Sequence, residues 1–212
     1  MGKKIEINMS AREKNDAAAK KNREIFNNRS LRVFNIISSP GSGKTSILEY
    51  AAEKLGSKLA VIVGDVFTTQ DADRINKKGC VAVQVETGGG CHLNAEMVRD
   101  AYEQLDTKKT EILVIENVGN LVCPSTYDLG EDKKIAVISL PEGDEKPSKY
   151  PALFNRADAV IINKIDLAPF VDFNIERAES DCRKLNKDVR VIRTSVKTGE
   201  GMDSFIDYLE KR

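Results

Sequence analysis

The 212-residue chain balances 33 lysines and arginines against 33 aspartates and glutamates, so it has no net positive field to hold a polyanion, and no nucleic-acid partner is expected. No run approaches the roughly 18 consecutive apolar residues that cross a bilayer, and Met1-Gly2-Lys3-Lys4-Ile5-Glu6 lacks the apolar core of a secretory signal, so a cytoplasmic protein without a membrane partner is expected. In a reducing compartment the four cysteines read as metal ligands or small buried residues rather than disulfides.

Ser10 and Glu13 form a capping box for a first helix through about Asn27. Its lysines and arginine (Lys14, Lys20, Lys21, Arg23) predict a mostly solvated element, either a surface appendage over 1–29 or a dimer contact. Strands are predicted at 31–37, 58–63, 81–86, 111–116, 134–140, 158–163 and 189–194, with helices near 44–56, 71–78, 93–105, 172–186 and 201–211. This alternation is the pattern of an α/β fold, a mostly parallel sheet with helices on its faces. Continuous apolar runs such as Ile112-Leu113-Val114-Ile115 suit strands buried on both sides. No repeat or linker interrupts the pattern, so residues 1–212 read as one domain.

Between the first strand and the second helix lies Ser38-Ser39-Pro40-Gly41-Ser42-Gly43-Lys44-Thr45, a phosphate-binding loop in its required strand–loop–helix context. Gly41, Ser42 and Gly43 let backbone N–H groups face the phosphates, Lys44 reaches the β and γ oxygens, and the Thr45 hydroxyl coordinates Mg²⁺, with Ser46 following. Ser38 stands where the strict pattern has Gly, which leaves a plain Gly/Ser turn as the competing reading.

Asn163-Lys164-Ile165-Asp166 follows a buried strand. There Asp166 accepts the guanine N1–H and amine donors, Asn163 braces neighbouring loops and the Lys164 stem lies along the base. Ser195-Val196-Lys197, after the last strand, resembles the second guanine-contacting loop of GTPases, with Val196 in the place of the usual Ala. Glu116-Asn117-Val118-Gly119 replaces the common Asp-x-x-Gly switch, with Gly119 directed at the γ-phosphate and Glu116 holding Mg²⁺ directly or through water. Asp65, at the end of another strand, is the first choice for positioning metal or water. Asp71 either joins it or caps the following helix. No switch glutamine is present to orient water, so slow intrinsic GTP hydrolysis to GDP is expected.

Cys91-His92, containing the single histidine, and Cys123, four residues beyond Gly119, carry thiolate and imidazole donors suited to Ni²⁺ or Zn²⁺. Three ligands leave a site to be completed by water or by a second copy of the chain. The competing reading makes the cysteines small core residues and His92 a surface polar group. Cys80 and Cys182 have no such company and read as packing residues.

The run Glu116-Asn117-Val118-Gly119-Asn120-Leu121-Val122-Cys123-Pro124, with Gly90-Cys91-His92-Leu93, Gly64-Asp65-Val66 and Asn163-Lys164-Ile165-Asp166, resembles the HypB family of hydrogenase-maturation GTPases over residues 10–210. The resemblance implies a doubly wound P-loop domain, a GTP-dependent homodimer, a metal site of Cys91, His92 and Cys123, and two partners: the nickel-binding protein HypA and the hydrogenase large-subunit precursor. Lys149 matches a family position near the dimer interface. The sequence carries neither the Cys-rich N-terminal motif nor the His-rich stretch of some members, so N-terminal nickel binding and nickel storage are not expected. Three alternatives compete: the related urease-maturation GTPase, a small-molecule P-loop kinase, and a nucleotide-switched binding module with structural zinc. The guanine loops and the lack of an arginine-rich lid argue against the kinase.

Overall fold

The computed structural model describes residues 10–65 and 70–211; Val66 and the start Met1–Glu6 fall outside them. In chain order the elements are α1 (Ala11–Asn28), β1 (Arg32–Ser38), α2 (Lys44–Leu55), β2 (Leu59–Asp65), α3 (Gln70–Asn76), β3 (Val81–Glu86), α4 (Ala95–Tyr102), β4 (Ile112–Glu116), β5 (Lys133–Ser139), α5 (Lys146–Lys149), α6 (Pro151–Phe154), β6 (Ala159–Asn163), α7 (Ile175–Leu185), β7 (Arg190–Arg193) and α8 (Met202–Glu210). The strands form one parallel sheet in the order β3-β2-β4-β1-β5-β6-β7. Strand order reverses at β1, so the sheet is doubly wound and the carboxyl ends around β1 form the crevice where such folds bind ligands.

The apolar runs read as central strands are buried on both faces, as β4 shows along its whole length. On one face Phe34, Ile36, Val61, Val114 and Val137 pack against α2, α3 and α8. On the other, Val33, Ile62 and Leu113 pack with α1 and α4, while Ala136, Ile138 and Ile162 pack with α6 and α7. Each of the seven expected strands is present, offset by one or two residues at some ends. The two four-residue helices α5 and α6 were not read from sequence; each carries a proline in its first turn.

The first helix adds a packed inner face to its sequence reading. The capping box forms as expected, with Glu13 N donating to Ser10 Oγ and Ser10 N donating to the Glu13 carboxylate. Most of α1 is exposed, as its charges lead one to expect, but its inner face buries Asn15, Ala18, Ala19, Asn22 and Phe26 against the domain. The Phe26 ring meets Tyr102 of α4 edge to face at 5.2 Å. Asn22 Nδ2 donates to the carbonyls of Ala95 (2.7 Å) and Leu129 (2.9 Å). Apart from Phe26, the buried face is made of small alanines and of asparagines, and the asparagines are what a hydrophobicity pattern assigns to solvent.

Asn22 is fully buried, so Asn22→Ala takes the side-chain donor from the Ala95 and Leu129 carbonyls and costs about 1–3 kcal/mol. Denaturant unfolding with an unchanged m-value checks this; a loss below about 0.5 kcal/mol, the range of ordinary surface substitutions, means that α1 contributes little to the fold.

Candidate functional site

The loop after β1 enters α2 at Gly43, which adopts a left-handed conformation at the N-cap, so the helix opens with its unpaired N–H groups facing the crevice. Ser38 turns out to be useful where the strict pattern has glycine. Its buried hydroxyl accepts from Lys44 Nζ (2.7 Å) and Ser42 Oγ (2.5 Å) and donates to the Ser39 carbonyl. Gly41, Gly43, Lys44, Thr45 and Ser46 line a cavity of about 490 Å³ together with Asp65, Asp71, Glu116, Gly119 and Lys164. A Cβ at Gly119 would lie 2.9 Å from the Pro40 ring, so the switch segment touches the phosphate loop only because residue 119 has no side chain.

Glu116 ends the fully buried strand β4, and Thr45 Oγ1 donates to its Oε1 at 2.9 Å. Its Oε2 is buried without a hydrogen-bond partner. A carboxylate oxygen left in that condition, beside a threonine hydroxyl and near Asp65 and Asp71 in one cavity, fits the oxygen donor set of Mg²⁺. Burial pushes the Glu116 pKa up to about 7, with the Lys44 ammonium and the Thr45 hydroxyl working against the shift. Burial also lowers the Lys44 pKa, opposed by Glu116, Glu142, Asp71 and Asp65. Asp71 lies inside the first turn of α3 and pairs with Arg74 at 2.9 Å, so it does not cap that helix, which begins at Gln70.

At the other end of the crevice Asn163 Nδ2 donates to the Ser42 carbonyl (2.8 Å) and Lys164 Nζ to the Gly41 carbonyl (2.6 Å), so both side chains hold the phosphate loop. Lys164 adopts φ 62°, a left-handed backbone uncommon outside glycine, which turns the chain sharply toward Asp166. Ser195 Oγ donates to Asp166 Oδ1 (2.6 Å) and Thr194 Oγ1 to Asn163 Oδ1 (3.2 Å). The Asn163–Asp166 and Ser195–Lys197 segments therefore form one ordered edge, with Val196 half-buried and Lys197 exposed.

Cys91, His92 and Cys123 come together with their ligand atoms within 4.8 Å of one another. Cys91 Sγ lies 3.4 Å from His92 Nδ1, and the His92 ring stacks on Tyr127 at 3.9 Å between centroids. Partial burial lowers the His92 pKa and so favours the neutral imidazole that ligates metals. A hydrogen bond with Cys123 raises the Cys91 pKa. Cys80 and Cys182 lie in the core, where burial pushes their thiols up to about 11 and about 12.

Asn117, quoted in the sequence run but given no role there, joins the two centres. Its Oδ1 accepts from Leu93 N, beside His92, and from Val118 N in the switch, while its Nδ2 donates to Asn35 Oδ1 on β1. The only local signal was an asparagine ending an apolar strand; its partners are far away in sequence.

A parallel sheet whose central strand ends in a Gly-Ser loop, with Lys44 and Thr45 at a helix N-terminus, defines a nucleotide-binding P-loop NTPase. Residues 32–193 match the CobW/HypB/UreG nucleotide-binding domain. The hydrogenase maturation factor HypB of Azotobacter chroococcum is 48% identical over 210 residues, covering 98% of this chain and 69% of that protein. The hydrogenase/urease maturation factor HypB of Helicobacter pylori is 42% identical over 200 residues, covering 92% of this chain and 83% of that one. The crystal structure of HypB from Helicobacter pylori in complex with nickel superposes with a TM-score of 0.89 at 43% identity, over 92% of this chain and 93% of that one. The chain belongs to the CobW/HypB/UreG family and, within it, to HypB.

Between the ordinary value of 4.5 and about 7, folded Glu116 keeps a proton that the unfolded chain has lost. The folded state's advantage is therefore complete at low pH and falls as pH rises through 7. Nucleotide- and Mg²⁺-free Glu116→Gln should be more stable than the parent at pH 8 by about 2–3 kcal/mol, with the gap closing near pH 5. Thermal unfolding across pH reads this; parallel profiles for the two proteins refute the assignment.

Proposed function

We propose that this protein is a GTP-hydrolysing metallochaperone that assists nickel insertion into nickel-iron hydrogenase. The observation that carries the proposal is the convergence of a phosphate loop and a Cys/His/Cys cluster on one segment, with Glu116 at its nucleotide end and Cys123 at its metal end. The nickel complex of a structural relative and the hydrogenase names of its sequence relatives support the same reading. One relative is named for urease as well, which keeps a urease-maturation role as the second reading. Structural zinc at the same three ligands is the alternative for the metal.

The residues assign themselves roles. The N–H groups of Gly41–Ser46 and Lys44 bind the β and γ phosphates, Asp166 accepts the guanine donors, and the Gly119 N–H faces the γ-phosphate. Thr45, Glu116, Asp65 and Asp71 would hold Mg²⁺, which neutralises charge developing on the phosphates. Asp65 and Glu116 orient the attacking water; attack at the γ-phosphorus breaks the bond to the bridging oxygen and yields GDP and phosphate. With no glutamine at the switch position that orients water in Ras-like GTPases, turnover is slow, as suits a switch. Ni²⁺ is the cargo, bound by Cys91, His92 and Cys123, and the ligand set is completed in a GTP-dependent homodimer. Lys149, exposed and paired with Glu145 at 2.7 Å, would stand near that interface. HypA as nickel donor and the hydrogenase large-subunit precursor as recipient complete the scheme.

Asp166→Asn should lose roughly 10⁴-fold in GTP affinity, because the guanine donors face an amide instead of a carboxylate, and should gain xanthine nucleotides. Competition binding decides it, and unchanged GTP affinity removes the guanine assignment. Ni²⁺ should bind the GTP-analogue state more tightly than the GDP state by about 5- to 150-fold, the usual range of such coupling. Cys123→Ala should abolish that difference and leave GTP affinity intact. Equal titrations of both states, with no mass change by light scattering, reject the shared switch.

A further inference from the structure

The three metal donors sit on two chain segments that touch near the ligands through two side chains, Asn117 Oδ1 accepting from Leu93 N (3.1 Å) and Asn120 Nδ2 donating to the Cys91 carbonyl (3.3 Å), and that need a second brace beyond the ligands to fix their angle. Cys91 and His92 precede the start of α4 at Ala95, while Cys123 precedes the turn through Asp128, Leu129 and Gly130. Helix α1 contacts both. Asn15 accepts from Ala95 N (2.9 Å) and donates to the Asp128 carbonyl (2.8 Å), so one side chain bridges the segments. Asn22, two turns further along, repeats the bridge by donating to the Ala95 and Leu129 carbonyls. Arg23 grips the Asp128 carboxylate with two hydrogen bonds of 2.8 and 3.0 Å.

Close packing reinforces these bridges. Ala18 and Ala19 of α1 meet Ala95 in a small buried cluster that brings the helix backbone up to the start of α4. A Cβ on Gly130, whose φ is +94°, would lie 2.7 Å from Asn22 Cβ and 2.9 Å from the Ala19 carbonyl. Next to Asp128, Tyr127 stacks on the His92 ring, and both line a cavity with Ala11, Lys14 and Asn15. Held at two points along one rigid helix, the segments can neither slide nor splay, and the distance from Cys91 and His92 to Cys123 is set.

We propose that α1 is the clamp of the metal site and that Asn15 and Asn22 are its positioning residues, touching no metal but fixing the spacing of Cys91, His92 and Cys123. This rests on those three residues being the ligands. Outer partners that orient ligands commonly contribute 10- to 100-fold to metal affinity.

The test titrates the full-length chain with Ni²⁺ and follows the thiolate-to-metal absorption band, with guanine nucleotide affinity measured in parallel. Asn15→Ala and Asn22→Ala should each weaken Ni²⁺ binding about 10-fold and shift or diminish the band, with nucleotide affinity within about 2-fold of the parent. Leu209→Ala, which opens the core cluster on the α8 face of the sheet and not the one that holds Phe26 of α1, should lower stability without moving the band. Arg23→Ala is a milder surface variant that should weaken Ni²⁺ less than either asparagine change. Unaltered Ni²⁺ binding in both asparagine variants, while Cys123→Ala abolishes it, overturns the clamp and leaves the ligand assignment standing. Retention of Ni²⁺ by Cys123→Ala overturns the ligand assignment and the clamp with it. Joint loss of Ni²⁺ and nucleotide in the asparagine variants overturns the clamp in favour of general unfolding.

Discussion

A carboxylate at the end of a buried parallel strand cannot remain ionised unless a positive group meets it, and Glu116 is in that position. Strand pairing puts it there: β4 lies beside β1 with Glu116 opposite Ile36, so the carboxyl emerges next to the loop that begins at Ser38. Lys44 supplies one charge and Thr45 one hydrogen bond, and Oε2 is still unsatisfied. The neutral form is therefore favoured until a cation arrives. A phosphate-bound divalent ion, as proposed, would answer this need and the anion-binding helix N-terminus of α2 together, so the nucleotide and its metal would stabilise the same few residues.

From Glu116 a chain of buried hydrogen bonds leads away from the phosphate loop. Asn117 follows Glu116 directly, its N–H pairs with the Ile36 carbonyl, and its side chain is fully buried. Through Oδ1 it holds both Val118 N and Leu93 N, and through Nδ2 it engages Asn35, whose own amide donates to Glu131. Glu131 also receives Leu129 N and pairs with Lys134. Every link is a hydrogen bond between buried or half-buried groups, and an unpaired member is costly there. One end bears on the residue after His92 and the other on the turn that α1 grips. The coupling proposed between nucleotide and metal would have this contiguous chain of contacts as its carrier.

Much of this was legible in the sequence and part was not, for reasons that lie in particular residues. The central strands were readable because parallel strands buried on both faces become unbroken apolar runs. The phosphate loop and the guanine loop were readable because their chemistry is local: a few consecutive residues carry it. The docking of α1 was not, because Asn15 and Asn22 look solvated until carbonyls from 73 to 113 residues away are placed against them. The Asn117–Asn35 and Asn35–Glu131 contacts span 82 and 96 residues, a separation that no spacing rule reaches. The helices α5 and α6 escaped because four residues starting around a proline carry too little periodicity to register.

The ligand cluster itself argues for transfer over storage. A structural metal site is closed by four ligands, whereas here three donors gather with Cys91 exposed and Cys123 half-buried. The hydrogen bond to Cys123 makes Cys91 harder to deprotonate, so metal must displace a proton to enter and a proton can help it leave. His92, kept neutral by partial burial and set in place by Tyr127, offers a ready nitrogen without that step. Such a site binds firmly only when something outside the chain completes the coordination shell. Removing that fourth contribution loosens the metal at once. An exposed, proton-sensitive donor set tied by Asn117 to the segment that carries Gly119 would, on the proposed function, suit release on hydrolysis.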